Sequence, residues 1–219
     1  MGRNFKKIPG PRRNHMKLNL FALAVAALIA SGPAFAQQSQ SQTQPNQPAP
    51  TIGQREQNQQ DRVANGIDSG QMTAGETKNV ESRESNLNRE VRDDRHADDG
   101  HLTQQERQQI NHQQNNLSHS IYDDKHNGAT EHYGNNEVGA RRDLQQQRIA
   151  NGIRSGQMAP SEVAKTEGRE QNINRHIAAD RSANGGKLTP AEKKNINQRQ
   201  NGASRQIYNE KHNGKTAPR

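Results

Sequence analysis

Residues Arg62 to Gly128 can be laid on Arg148 to Gly214 at a fixed offset of 86 residues without a gap, and 34 of the 67 aligned positions are identical. The match runs from R-V-A-N-G-I-D-S-G-Q-M against R-I-A-N-G-I-R-S-G-Q-M to I-Y-D-D-K-H-N-G against I-Y-N-E-K-H-N-G. The chain is therefore read as two tandem copies of one folding unit, and any fold assigned to it must serve twice.

Within each copy a weaker periodicity begins at Gly70 and Gly100, and again at Gly156 and Gly186, each opening the pattern G-x-[ML]-[TA]-x-x-E. The first stretch continues through Val80, Leu87 and Val91, the second through Ile110, Leu117 and Ile121. Apolar residues separated by seven and four positions share one face of a helix, while the intervening Gln, Asn, Arg and Glu keep the other faces wet. The spacing predicts an all-α protein with three narrow-striped helices per copy, at about 54–65, 73–94 and 103–126, then 140–151, 159–181 and 189–212.

Local chemistry sets the ends of these helices. Thr103-x-x-Glu106 and Thr189-x-x-Glu192 are capping boxes that satisfy orphan N–H groups, and Pro190 falls in the first turn, where no hydrogen bond is lost. Asn65-Gly66 and Asn151-Gly152 are expected to end helices in the left-handed conformation. Lys125, His126, Lys211 and His212 suit the negative end of a helix dipole, and Asn-Gly follows each pair.

The first 36 residues hold every phenylalanine and six basic residues with no acid. The apolar run Leu18 to Ala30 is too short for the roughly 20 residues of a membrane-spanning helix, and Ala34-Phe35-Ala36 has the small-x-small form of a cleavage site. Residues 1–36 are thus read as a signal peptide, starting at Met1 or Met16 and cleaved after Ala36, with a periplasmic or secreted product. Residues 37–53 are a Gln, Ser and Pro leader that cannot offset its ordering entropy. The further divisions are a first repeat over 54–128, a linker over 129–139, a second repeat over 140–214 and a tail over 215–219.

Loss of the signal peptide leaves 25 basic residues against 23 acidic ones, and Tyr122, Tyr133 and Tyr208 as the remaining aromatics. A nucleic-acid partner normally meets a basic face with stacking platforms, so none is expected, and no membrane span is expected in the mature chain. The absence of cysteine excludes disulfides, thiolate metal ligands and a thiol nucleophile. The apolar stripes are thin, with Thr166 aligned on Val80 and Ala203 on Leu117, so the copies are expected to pack on each other, oligomerise or remain partly dynamic, and the partner expected is a second copy or an envelope protein.

The sharpest ligand candidate is calcium. Asp98-Asp99-Gly100-His101-Leu102-Thr103-x-x-Glu106 resembles the second half of an EF-hand loop, a family that holds calcium between two helices. Gly100, Leu102 and Glu106 match loop positions 6, 8 and 12, whereas Arg95 and Ala97 stand at positions 1 and 3, where carboxylates coordinate. The resemblance implies a cation site using Asp94, Asp98, Asp99 and Glu106, or else a helix cap without any cofactor. His112, His119 and His126 stand about 10.5 Å apart along a helix, too far to share one ion.

Ser118, His119, Asp123 and Asp124 fall on one helix without a nucleophile elbow, so no catalytic residue is assigned. Glu81, Glu84, Asp93 and Asp94 alternate with Arg83, Arg89 and Arg92 and read as solvated ion pairs. The composition, with mean hydropathy −1.31, resembles that of hydrophilins, and the repeat resembles those of uncharacterised exported bacterial proteins. The resemblance implies a non-enzymatic protein acting through its surface, as an interaction module or a stress protectant.

Overall fold

A computed structural model of the chain describes residues 49–134 and 136–217. The expected signal peptide with its cleavage residues Ala34 and Ala36, and residues 37–48 of the expected leader, lie outside the described residues. Six helices form: α1 (Ile52–Asp68), α2 (Ala74–Ala97), α3 (Gln104–His126), α4 (Glu137–Arg154), α5 (Pro160–Ala183) and α6 (Pro190–Lys211). The protein is all-helical, with no strand among the described residues.

Four helices begin with a full capping box. Thr51, Thr73, Thr103 and Thr189 each accept from a backbone N–H three residues on, while Gln54, Glu76, Glu106 and Glu192 reach back. Ala159 offers no side-chain acceptor, so α5 keeps half of the device, with Glu162 Oε2 accepting from the Ala159 N–H at 3.0 Å. The box at Thr51 starts α1 two residues before the expected boundary, which draws Ile52 and Gly53 out of the leader. Asn136 likewise caps α4, which makes residues 137–139 helical and shortens the linker.

Asn65-Gly66 does not end α1. The helix continues to Asp68, and the left-handed residue is Gly70, with φ 68°. Gly66 serves a close approach instead, since a Cβ there would stand 2.7 Å from Met72 Cγ and Sδ. The same exchange holds at Gly152, where Met158 closes in, and Gly156 makes the turn with φ 67°. The predicted ends at Gly128 and Gly214 do have left-handed glycines, with φ 78° and 75°.

The ten aliphatic and methionine side chains of residues 54–128 named by the periodicity or flanking it are all buried, from Val63 and Ile110 to Val91 and Leu102. A central core draws Val63, Ile67, Met72, Val80, Leu117 and Ile121 together with Ile149, Ile153, Met158, Val163 and Ile207. Two smaller clusters flank it, one built around Leu87, Val91, Leu102 and Ile110, the other around Val138, Ile173, Ile177 and Ile196. The most extensive helix pair is α2 with α5, followed by α1 with α4. Gly75 faces Gln171 and Lys78 faces Gly168, so α2 and α5 run antiparallel. Packing between the two halves thus completes stripes too thin to form a core within one half.

Polar contacts recur 86 residues apart with nearly unchanged lengths. Gln59 Nε2 donates to Gln114 O at 2.7 Å and to Ser118 Oγ at 2.9 Å, and Gln145 does the same to Gln200 O and Ser204 Oγ. The segments after α3 and α6 also behave alike, with Glu131 N donating to Gly70 O and Ala217 N to Gly156 O. Residues 129–131 are therefore a return strap laid across the α1–α2 turn as well as a connection.

Candidate functional site

The EF-hand-like turn lies between α2 and α3. Asp98 follows the last helical residue of α2, its N–H donating to Asp94 O, and Asp99 takes φ 50° ahead of Gly100 at φ 89°. Glu106 Oε2 accepts from the Thr103 N–H at 2.8 Å, and that backbone bond holds its carboxyl below the ordinary range. Asp94 is pushed up by partial desolvation and by the neighbouring carboxylates, Glu106 first among them. The structure thus brings Asp94, Asp98 and Glu106 to one turn and commits Glu106 to capping. Among the described residues no group of three or more His, Cys, Asp or Glu side chains is placed to hold a metal ion.

The other sequence candidates have structural duties. Ser118 Oγ accepts the bond from Gln59, a role repeated by Ser204. His126 stacks on Tyr122 with ring centroids 4.2 Å apart, its Nδ1 2.6 Å from Tyr122 O, and His212 repeats this on Tyr208.

The reading of Glu81 and Glu84 as solvated ion pairs is overturned. Both are fully buried, as are Glu167 and Glu170 at the equivalent places on α5. Glu84 lies four residues after Val80 and three before Leu87, which puts it at the centre of the apolar stripe rather than on the wet face. That spacing was the signal available in the sequence. The alternation with arginines concealed it, because it weighed charge order above helical position.

The partners of these carboxyls are mostly neutral. Gln60 Nε2 donates to Glu81 Oε1 at 3.1 Å and Gln146 Nε2 to Glu167 Oε2 at 3.2 Å. Neither oxygen of Glu84 has a hydrogen-bond partner. Burial, with repulsion from Glu84 and Glu167, pushes Glu81 well above the carboxylate range, and burial with Glu170 does the same to Glu167. Glu84 is pushed up to about 8 by burial and by Glu56. Glu170 is pushed up to about 7 by burial, with Arg142 opposing.

The halves differ at one key place. Glu56, raised mainly by burial, accepts from Asn88 Nδ2 at 2.6 Å. Its counterpart is Arg142, whose guanidinium lies 4.7 Å from the Tyr133 ring centroid. A buried cation needs an anion, and the strap provides one, Glu131 Oε2 lying 2.7 Å from Arg142 Nη2. Glu131 Oε1 also accepts from Asn174 Nδ2 at 3.0 Å, which pins the strap to α4 and α5.

Outside this layer the surface carries open grooves. One of about 740 Å³ runs over α5 and α6 and is lined by Lys78, Lys165, Arg169, Arg175 and Arg199 with amide side chains between them. Its lining holds no carboxylate. Comparison with protein-family models, with curated proteins and with solved structures gives no match. Fold and site together define an all-helical protein with a buried acidic seam and an open basic groove, and no described helix is long and apolar enough to cross a membrane.

Proposed function

We propose that this is an exported, non-enzymatic protein built of two tandem three-helix repeats, acting through its surface as an interaction module. One observation carries the reading. Four buried or half-buried polar pairs identical in both copies, Gln59/Gln145, Gln60/Gln146, Gln114/Gln200 and Ser118/Ser204, make the same hydrogen bonds between segments in each copy. These duplicated contacts hold the scaffold, whereas the two copies differ in the sign of their net charge. Residues 54–128 carry nine basic and fourteen acidic residues, whereas 140–214 carry fourteen basic and seven acidic. Such a difference steers partners by sign.

The test has two arms. Fusion of the precursor to a periplasmic reporter should give export with the signal removed, and bulky residues at Ala34 and Ala36 should leave the signal uncleaved. The purified mature chain, given chromogenic ester, phosphoester and glycoside substrates, should show no turnover. Cytoplasmic retention contradicts export, and turnover abolished by Ser118→Ala contradicts the non-enzymatic assignment.

A further inference from the structure

Two copies in one chain allow the groove over α5 and α6 to be compared with its equivalent over α2 and α3. The equivalent is about 250 Å³, lined by Arg83, Asn86, Leu87, Gln113, Asn116 and Leu117. The second copy's groove is larger, and two of its lining positions are trimmed, with Gly168 in place of Ser82 and Gly202 in place of Asn116. It is also more basic, with Lys165 in place of Asn79 and Arg199 in place of Gln113, while Arg169 and Arg175 are shared with Arg83 and Arg89. Lys78 reaches in from α2, and a further concavity of about 440 Å³ continues past Lys165 and Arg169 to Arg205, with Glu210 as the one carboxylate in its lining.

The cations in this groove are poorly neutralised. Lys165 pairs with Glu210 at 3.1 Å. Arg169 donates to the Gly202 carbonyl, Arg175 to the Asn172 side chain and Arg199 to the Asn195 side chain. Among the described residues no carboxylate forms an ion pair with Lys78, Arg169, Arg175 or Arg199. Neutral acceptors hold the guanidinium groups in place and leave their charge free for an incoming anion.

We propose that this groove binds a linear polyanion of closely spaced phosphate groups. The inference refines the surface-acting reading and rests on it. Cations strung along two helices match an extended chain of charge better than a single ion. No aromatic side chain lines the groove, so it has no stacking platform for a nucleobase or a sugar ring. A second copy of this chain is a poorer occupant, because the acids of its first repeat, Asp93, Asp94 and Asp98, are interleaved with Arg92 and Arg95 and would carry cations into a cationic groove.

Titration of the mature chain with short-chain inorganic polyphosphate at low salt, followed calorimetrically, should show binding that weakens steeply as salt is added. Arg169→Gln with Arg199→Gln should weaken it at least about tenfold, while Arg83→Gln with Arg89→Gln should leave it unchanged, both variants keeping the parent helix content by circular dichroism. Binding lost equally in the two double variants, or in neither, overturns the location. Equal affinity for polyglutamate or a single-stranded oligonucleotide of matched charge overturns the phosphate assignment. Absence of binding overturns the groove alone, whereas binding with release of orthophosphate keeps the groove and overturns the non-enzymatic reading.

Discussion

Replacing Glu84 with glutamine removes a carboxyl that is fully buried and has no hydrogen-bond partner on either oxygen. The groups that act on it or on the seam it belongs to are Glu81 beside it on α2, Glu56 and Gln60 on α1, Asn88 and Arg92 on α2, and Glu167 across the interface on α5. The sign follows from burial. A carboxyl raised from its ordinary 4.5 to about 8 contributes stability that is fully present below 4.5 and is lost as pH rises toward 8. Each pH unit in that window costs about 1.4 kcal/mol, so the charge-bearing side chain lowers stability at pH 7 by about 3 kcal/mol. Glutamine keeps the shape without the titration. Urea unfolding followed by circular dichroism should therefore show the parent losing stability between pH 5 and 8, and Glu84→Gln gaining up to about 3 kcal/mol at pH 7 and little at pH 4.5. A parent whose stability rises from pH 5 to 8, or a variant equally destabilised at both pH values, would refute the reasoning.

Three further outcomes follow from individual contacts. Gly66→Ala places a methyl group 2.7 Å from the buried Met72 side chain and should destabilise by about 1 to 3 kcal/mol, read as a drop in the urea midpoint. Asp99 occupies a left-handed position that Gly185 fills in the second copy, so Asp99→Gly should raise stability by about 0.5 to 1 kcal/mol. Circular dichroism melts with and without millimolar calcium should coincide for this variant and its parent, and a calcium-dependent rise confined to the parent would favour the EF-hand-like cation site. Glu131→Ala strands Arg142 without its anion and should cost about 3 kcal/mol, with early hydrogen exchange at the start of α2, whereas an unchanged melt would show the strap to be idle.

The elements were legible because their signals are local. The 7-and-4 spacing through Val80, Leu87 and Val91 and the Thr-x-x-Glu boxes each lie within one helix, and both appear where expected. What escaped depends on contacts between distant segments. Asn65-Gly66 favours left-handed backbone and so predicts a stop, yet the role of Gly66 comes from Met72 folding back on it. Glu131 looked like loop composition, and its purpose exists only because α4 buries Arg142. Charge order hides the burial of Glu81 and Glu84, because an acid flanked by arginines is ordinarily on a wet face. The second copy, pressed against the first, turns that face inward. The basic groove was hidden for a related reason, since it comes from comparing aligned positions between copies rather than from any motif within one.

The central claim is that the two halves fold as one body, completing a shared core and burying a common acidic seam. The direct measurement is urea unfolding of residues 51–217 beside residues 51–131 and 136–217 prepared separately, each half keeping its helix caps. The account predicts a single cooperative transition for the joined chain and little or no folded population for either half alone at neutral pH. Two independent transitions in the joined chain, each matching a stably folded isolated half, would contradict it.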